Sequence, residues 1–249
     1  MLFAHARVET LLTLRHGEQL LLTVLIPLAL LVGLSLLDVL PAPESSATGA
    51  AGTEVASRVG WVAPSILALA VMSSAFTGQA ISLGFDRKYG VLKRLSATAL
   101  PRWLLVCGRL VAALVVVWLQ VLVLGAVALA LGWAPALAGL APAAALIMFG
   151  TAAFGALGVL LGGALRADVV LAVANIVWFV LLLAGGILLV PEVLPPGIAE
   201  VVLLLPSGAL AEGLRVALLD GTTSWPALVV LALWAAAAAA LATRTTRLT

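Results

Sequence analysis

Charge is scarce in this chain of 249 residues: aspartate, glutamate, lysine and arginine make up 10% of it, against roughly a quarter in a soluble domain. Lysine occurs only at Lys88 and Lys93, histidine only at His5 and His16, and cysteine only at Cys107. A lone cysteine inside an apolar run forms no internal disulfide and no cysteine-based metal site, so Cys107 reads as packing. Both histidines precede the first apolar run, which removes a buried histidine base and a His-rich metal centre. The motifs of membrane catalysis are missing too: there is no G-x-S-x-G, no H-E-x-x-H and no pair of aspartates within a span. No catalytic residue and no metal ligand is therefore assigned. A G-x-x-x-x-G-K-[ST] phosphate loop is also lacking, so no nucleotide cofactor is expected on this chain through that motif, and nucleic acid is not an expected partner.

What fills the space is apolar: 64% of the residues. Crossing a hydrocarbon core of roughly 30 Å takes about 20 apolar residues of helix. Six runs approach or exceed that length, near Leu20–Leu37, Trp61–Phe85, Trp103–Leu131, Ala136–Leu165, Val169–Val190 and Pro226–Thr243. The fold expected is an all-α integral membrane protein with six transmembrane helices, forming one domain over 1–249. The first run, behind a mixed-charge N-terminus, is read as a retained span rather than a cleaved signal. Trp61, Trp103, Trp133 and Trp225 stand at run ends, where indole rings favour the headgroup region.

Arginine and lysine divide unequally between the two sides. Arg7, Arg15, Arg87, Lys88, Lys93, Arg94, Arg102, Arg109, Arg166, Arg244 and Arg247 fall on one side, Arg58 and Arg215 on the other, while most acids fall opposite the bases. This asymmetry places both termini in the cytoplasm and requires an even number of spans. Arg109, two turns into the third run, is expected to snorkel to the interface. Residues 1–19 put Ala4, Val8, Leu11 and Leu12 on one face, as in a helix lying along the inner surface. Between spans five and six, 191–224 holds an apolar stretch, Val201–Leu205, too short to cross; a pair of short helices dipping into the outer leaflet is expected.

Inside the spans the polar groups are uncharged: Ser73, Ser74, Thr77 and Gln79 in the second, Gln120 in the third, Asn175 in the fifth. Two readings stand. Ser73, Thr77, Gln79, Gln120 and Asn175 line a path for an amphiphilic cargo, or they make helix–helix hydrogen bonds worth about 0.6–2 kcal/mol each. The missing intramembrane charge disfavours a channel or an ion-coupled carrier. In the fourth span Gly150, Gly155, Gly158, Gly162 and Gly163 permit close helix approach, within the chain or between two copies.

The segment Asp86–Arg102, DRKYGVLKRLSATALPR, interrupts two apolar runs. Asp86 is placed to cap a new helix on which Val91, Leu92 and Leu95 gather apart from Lys88, Lys93 and Arg94, with Pro101 ending it. Such a helix suits either a groove on a soluble partner or the anionic surface of the inner leaflet.

These residues resemble the first cytoplasmic loop of ABC-2 type transporter permeases, the membrane subunits of the daunorubicin-resistance class. The resemblance rests on Arg87, Lys88, Tyr89, Gly90, Leu92, Leu95, Ala97, Thr98, Ala99, Leu100 and Pro101, on Pro27 in the first span, and on the stretch from Asn175 through Pro191 and Pro195–Pro196 to Arg215. Ala99 stands where many relatives have proline. The resemblance implies an N-terminal amphipathic elbow helix, a cytoplasmic coupling helix over 86–101 with Arg87, Lys88, Tyr89, Gly90, Leu92, Arg94 and Leu95 meeting an ATPase, and reentrant outer helices. It further implies two separate ABC ATPase subunits carrying ATP and Mg, a second permease subunit, identical or related, and export of a drug, antibiotic or lipid across a bacterial inner membrane. A membrane scaffold that binds a soluble partner without transport is the alternative from another class.

Overall fold

The computed structural model describes residues 17–37, 51–91, 102–187 and 195–245. Among them every regular element is helical. The elements are α1 (Gly17–Leu36), α2 (Ala51–Met72), a π-helical segment (Ser73–Gly78), α3 (Gln79–Lys88), α4 (Arg102–Ala130), a short 3₁₀ turn (Leu137–Gly139), α5 (Leu140–Ala164), α6 (Ala167–Ala184), α7 (Pro196–Leu204), α8 (Pro206–Asp220) and α9 (Trp225–Thr245). Four helices are long and apolar enough to cross a membrane: Glu54–Lys88, Cys107–Ala130, Leu137–Ala164 and Trp225–Arg244. A fifth is reached if α7 and α8, bent by 94° at Leu205, are taken as one span. The apolar stretches Thr23–Leu36 in α1 and Ala167–Leu183 in α6 are shorter.

Helix boundaries follow local chemistry. Pro196 and Pro206 open α7 and α8 at the first helical position, where the missing N–H costs nothing. Gly221 closes α8 in the left-handed conformation at φ 70° and donates its N–H to the Ala217 carbonyl. Gly90, one residue past the Tyr89 cap of α3, is also left-handed at φ 72° and donates its N–H to the Arg87 carbonyl.

The second span is longer than its apolar core. Expected over Trp61–Phe85, it begins at Ala51 and continues through the π segment to Lys88. Glu54 lies in its first turn and favours a helix start through the N-terminal dipole. The 35 residues of Glu54–Lys88 extend about 52 Å at 1.5 Å per residue, longer than the apolar core of a bilayer.

At the centre of the bundle lies α5. Small residues on several of its faces let neighbours approach: a Cβ at Gly150 would stand 3.0 Å from Leu210 of α8, and one at Gly155 would stand 2.5 Å from Leu110 of α4. Cβ atoms at Gly158 and Gly162 would stand 2.5 Å from the carbonyl oxygens of Phe76 and Ala80. The G-x-x-x-G pair thus packs within the chain, against the second span. Around α5 runs a continuous core that includes Val71, Met72, Phe76, Leu146, Phe154, Leu210, Leu214 and Leu231. Trp133, just past the end of α4, belongs to it as well and is buried. By contrast, Trp225 is exposed at the start of α9.

Candidate functional site

The polar residues of the bundle sort into three levels along the second span. The middle one is uncharged and hydrogen-bonded. Pro27 has no backbone N–H, so the Thr23 carbonyl four residues earlier loses its helical donor. Gln120 of α4 supplies one, its Nε2 standing 2.9 Å from the Thr23 oxygen. The same side chain accepts from Ser74 Oγ at 2.7 Å through its Oε1. One buried amide, 1% exposed, thereby joins α1, the π segment and α4.

Other candidate lining residues at this level have separate fates. Ser73 Oγ accepts from Trp178 Nε1 of α6 at 3.0 Å. Thr77 Oγ1 is buried without a protein partner, and Gln79 is half-buried at the start of α3. Asn175 is exposed and returns its Nδ2 to the Leu171 carbonyl of its own helix at 2.9 Å. Ser73, Ser74 and Gln120 therefore hold helices together, while Asn175 stands on an open helix face among Leu171, Ile176, Phe179, Val180 and Leu183.

One end of the second span carries charge. Asp86 does not cap a new helix, because α3 runs past it to Lys88; its carboxylate instead receives the Arg109 guanidinium of α4. Arg109 also donates to Ser82 Oγ at 3.4 Å and is only 2% exposed, so protein rather than water surrounds its guanidinium. Arg87 donates from Nη1 to the carbonyls of Gly163, Leu165 and Gly162 at 2.6, 3.0 and 3.4 Å, satisfying backbone acceptors left open at the end of α5. Lys88 Nζ stands 3.0 Å from Asp168 Oδ1 in the first turn of α6. Tyr89 and Gly90 follow at the surface, Tyr89 stacked on Phe85 with ring centroids 6.1 Å apart. Leu92, Arg94 and Leu95, with the rest of 92–101, lie outside the described residues, as does the amphipathic segment 1–16.

At the opposite end sits a group that the charge count alone treats as an outer loop cation. Arg215 of α8 is buried, 5% exposed. Its Nη2 donates to the Gly186 carbonyl at 2.8 Å and to Ser65 Oγ at 3.1 Å, and its Nη1 to Glu212 Oε2 at 3.1 Å. Its guanidinium also lies over the Trp61 ring at 5.9 Å. The sequence signal for this was Glu212 three residues earlier on the same helix, a spacing that pairs side chains. Ser65 and Asp86, which mark the two charged ends, are 21 residues apart on one nearly continuous helix. That places the two buried arginines about 30 Å from each other along the span, the thickness of a hydrocarbon core.

Several helices long and apolar enough to cross a membrane make this a multi-pass membrane protein. Comparison with protein families makes the assignment particular. The ABC-2 type transporter model matches residues 2–219, and the chain belongs to that family. The match runs through α8 and stops short of α9. No curated protein matches the chain. Family membership identifies a permease of an ABC transporter, a membrane transport component of a kind that generally lacks an ATPase site of its own, and it implies ABC ATPase subunits as partners.

Proposed function

We propose that the protein is the permease subunit of a daunorubicin-resistance-class ABC exporter of a bacterial inner membrane, moving a hydrophobic or amphiphilic drug, antibiotic or lipid outward. Two ATPase subunits, with their ATP and Mg, work on two permease subunits. In this reading α1 and α6 complete six crossings with both termini in the cytoplasm, 1–19 is the elbow helix, and 86–101 is the coupling segment. The bent pair α7–α8 dips into the outer leaflet within 191–224.

The observation that carries the cargo class is the open face of α6. It offers Leu171, Ile176, Phe179, Val180 and Leu183 with one neutral polar group, Asn175, in their midst. Asn175 spends one amide hydrogen on its own helix, and its carbonyl oxygen would lack a donor against lipid tails, an arrangement that is unfavourable in a bilayer. A second permease subunit or an amphiphilic cargo with a hydrogen-bond donor supplies what lipid does not. A mostly apolar face with a single neutral polar group also matches a cargo of that kind better than a charged one.

The test is co-purification of the chain with its ATPase and ATP hydrolysis by the complex. Leu92→Asp or Leu95→Asp is expected to abolish both, and unchanged assembly and hydrolysis in both variants reject the coupling role of 86–101. Asn175→Leu is expected to lower export from loaded vesicles with assembly intact. Undiminished export assigns Asn175 to packing alone.

A further inference from the structure

Asp86, Arg87 and Lys88 are consecutive on a helix, so their side chains leave it about 100° apart. Each meets a different neighbour. Asp86 pairs with Arg109 of α4, Arg87 holds the last carbonyls of α5, and Lys88 reaches Asp168 at the start of α6. Three adjacent residues at the end of the second span thus fasten three helices to it, directly before the segment that the proposed function assigns to the ATPase.

The three ties differ in strength. Lys88 and Asp168 are largely solvent-exposed, and such pairs are worth about 0–1 kcal/mol. The other two are more sheltered: Arg109 is buried, and Arg87, half-buried, is aimed at a helix C-terminus, whose partial negative charge favours a cation. Breaking either leaves a buried group without its partner, so these two ties resist separation while the third follows them.

We propose that Asp86, Arg87 and Arg109 are positioning residues that lock the inner ends of α3, α4, α5 and α6 into one rigid layer, so that a push on the segment after Lys88 moves all four helices together. This rests on the coupling role of 86–101, because a layer with nothing pushing on it has no such use. It differs from simple packing in one respect: the distance between α4 and α6 is held through α3, on one side by the Arg109–Asp86 tie and on the other by Arg87, whose bond to the Leu165 carbonyl grips the chain two residues before α6 begins, with Lys88–Asp168 adding little.

The experiment uses the complex of this chain with its ATPase in lipid nanodiscs, with Cys107→Ser and nitroxide labels at Val111→Cys on α4 and Val169→Cys on α6, both exposed and outside the three ties. Distances are read by pulsed electron paramagnetic resonance, without nucleotide and with ATP trapped by vanadate. Labelled permease is mixed with an excess of unlabelled permease, so that one subunit of a pair carries both labels, and the expected result is one narrow distance, the same in both states. In Arg87→Gln, and separately in Asp86→Asn combined with Arg109→Gln, the distribution broadens and shifts on trapping while the ATPase still co-purifies. A distance that changes on trapping without these substitutions overturns the proposal, and so does one that stays narrow and unmoved in both variants. The milder Arg87→Gln keeps the test available if the double variant fails to fold. A purely structural role lowers the melting temperature of these variants without altering the distance in the folded fraction. Failure of the coupling reading is seen separately, as an ATPase that does not co-purify even with the unsubstituted permease.

Discussion

Gln120→Leu is the substitution whose cost can be worked most closely from the structure. It removes two interhelical hydrogen bonds, from Ser74 at 2.7 Å and to the Thr23 carbonyl at 2.9 Å, and leaves a side chain of similar size in a buried site. Interhelical hydrogen bonds in membrane proteins average about 0.6 kcal/mol and reach about 1.7, so the pair is worth about 1–3 kcal/mol. Half of that depends on Pro27. In a Pro27→Ala background residue 27 regains an N–H, which donates to Thr23 in the ordinary helical way. There Gln120→Leu is expected to cost only the Ser74 share, about 0.5–1.5 kcal/mol, and the double-mutant cycle should show coupling of similar size. The assay is SDS titration of the detergent-solubilised permease, following loss of helical circular dichroism for the parent, both single variants and the double variant. An equal cost of Gln120→Leu in the two backgrounds refutes the reasoning, for it means that the proline and the amide do not serve each other.

Three further substitutions test other contacts. Arg215→Met is expected to lower unfolding free energy by about 3–5 kcal/mol, because Glu212 and the Gly186 carbonyl lose a buried cation, and thermal melting in detergent reads it directly. A loss below about 1 kcal/mol would mean that the arginine acts only as a surface charge. Gly158→Leu, whose Cβ meets the Phe76 carbonyl at 2.5 Å, should destabilise by about 1–3 kcal/mol or more through overpacking. Gly125→Ala, with open space around it in α4, should be neutral or stabilise by up to about 1 kcal/mol through helix propensity, and equal effects at the two sites would contradict the helix contacts described.

Much of the helical layout was legible in the residues. Apolar length locates the helices to within a few residues at most ends, and Pro196 and Pro206 mark where α7 and α8 begin. The early start of the second span at Ala51 was not legible, because its first turns are polar and hydropathy reports only the part that prefers lipid. Nor were the buried arginines. Counting Arg215 as an outer charge and letting Arg109 snorkel give each a level and leave open what its guanidinium meets there. Each finds an acid and other acceptors within the protein, Arg109 in Asp86 and Ser82 of the second span, Arg215 in Glu212 of its own helix, in Ser65 and in the carbonyl that follows α6. The polar residues of the second and third spans were visible as candidates, but only their placement shows Ser74 and Gln120 joined and Asn175 apart from them.

By itself the sequence determined that this is a helical membrane protein with little intramembrane charge and a basic segment between its second and third spans. Those properties depend on local transfer free energy and backbone hydrogen bonding, which each segment carries wherever it lies. Tertiary structure alone decided that the glycines of α5 seat the second span, that Gln120 mends the break at Pro27, and that Asp86, Arg87 and Lys88 each bind a different helix. A partner's identity depends on which faces meet across tens of residues of chain, and helical period fixes where a side chain points without fixing what stands there.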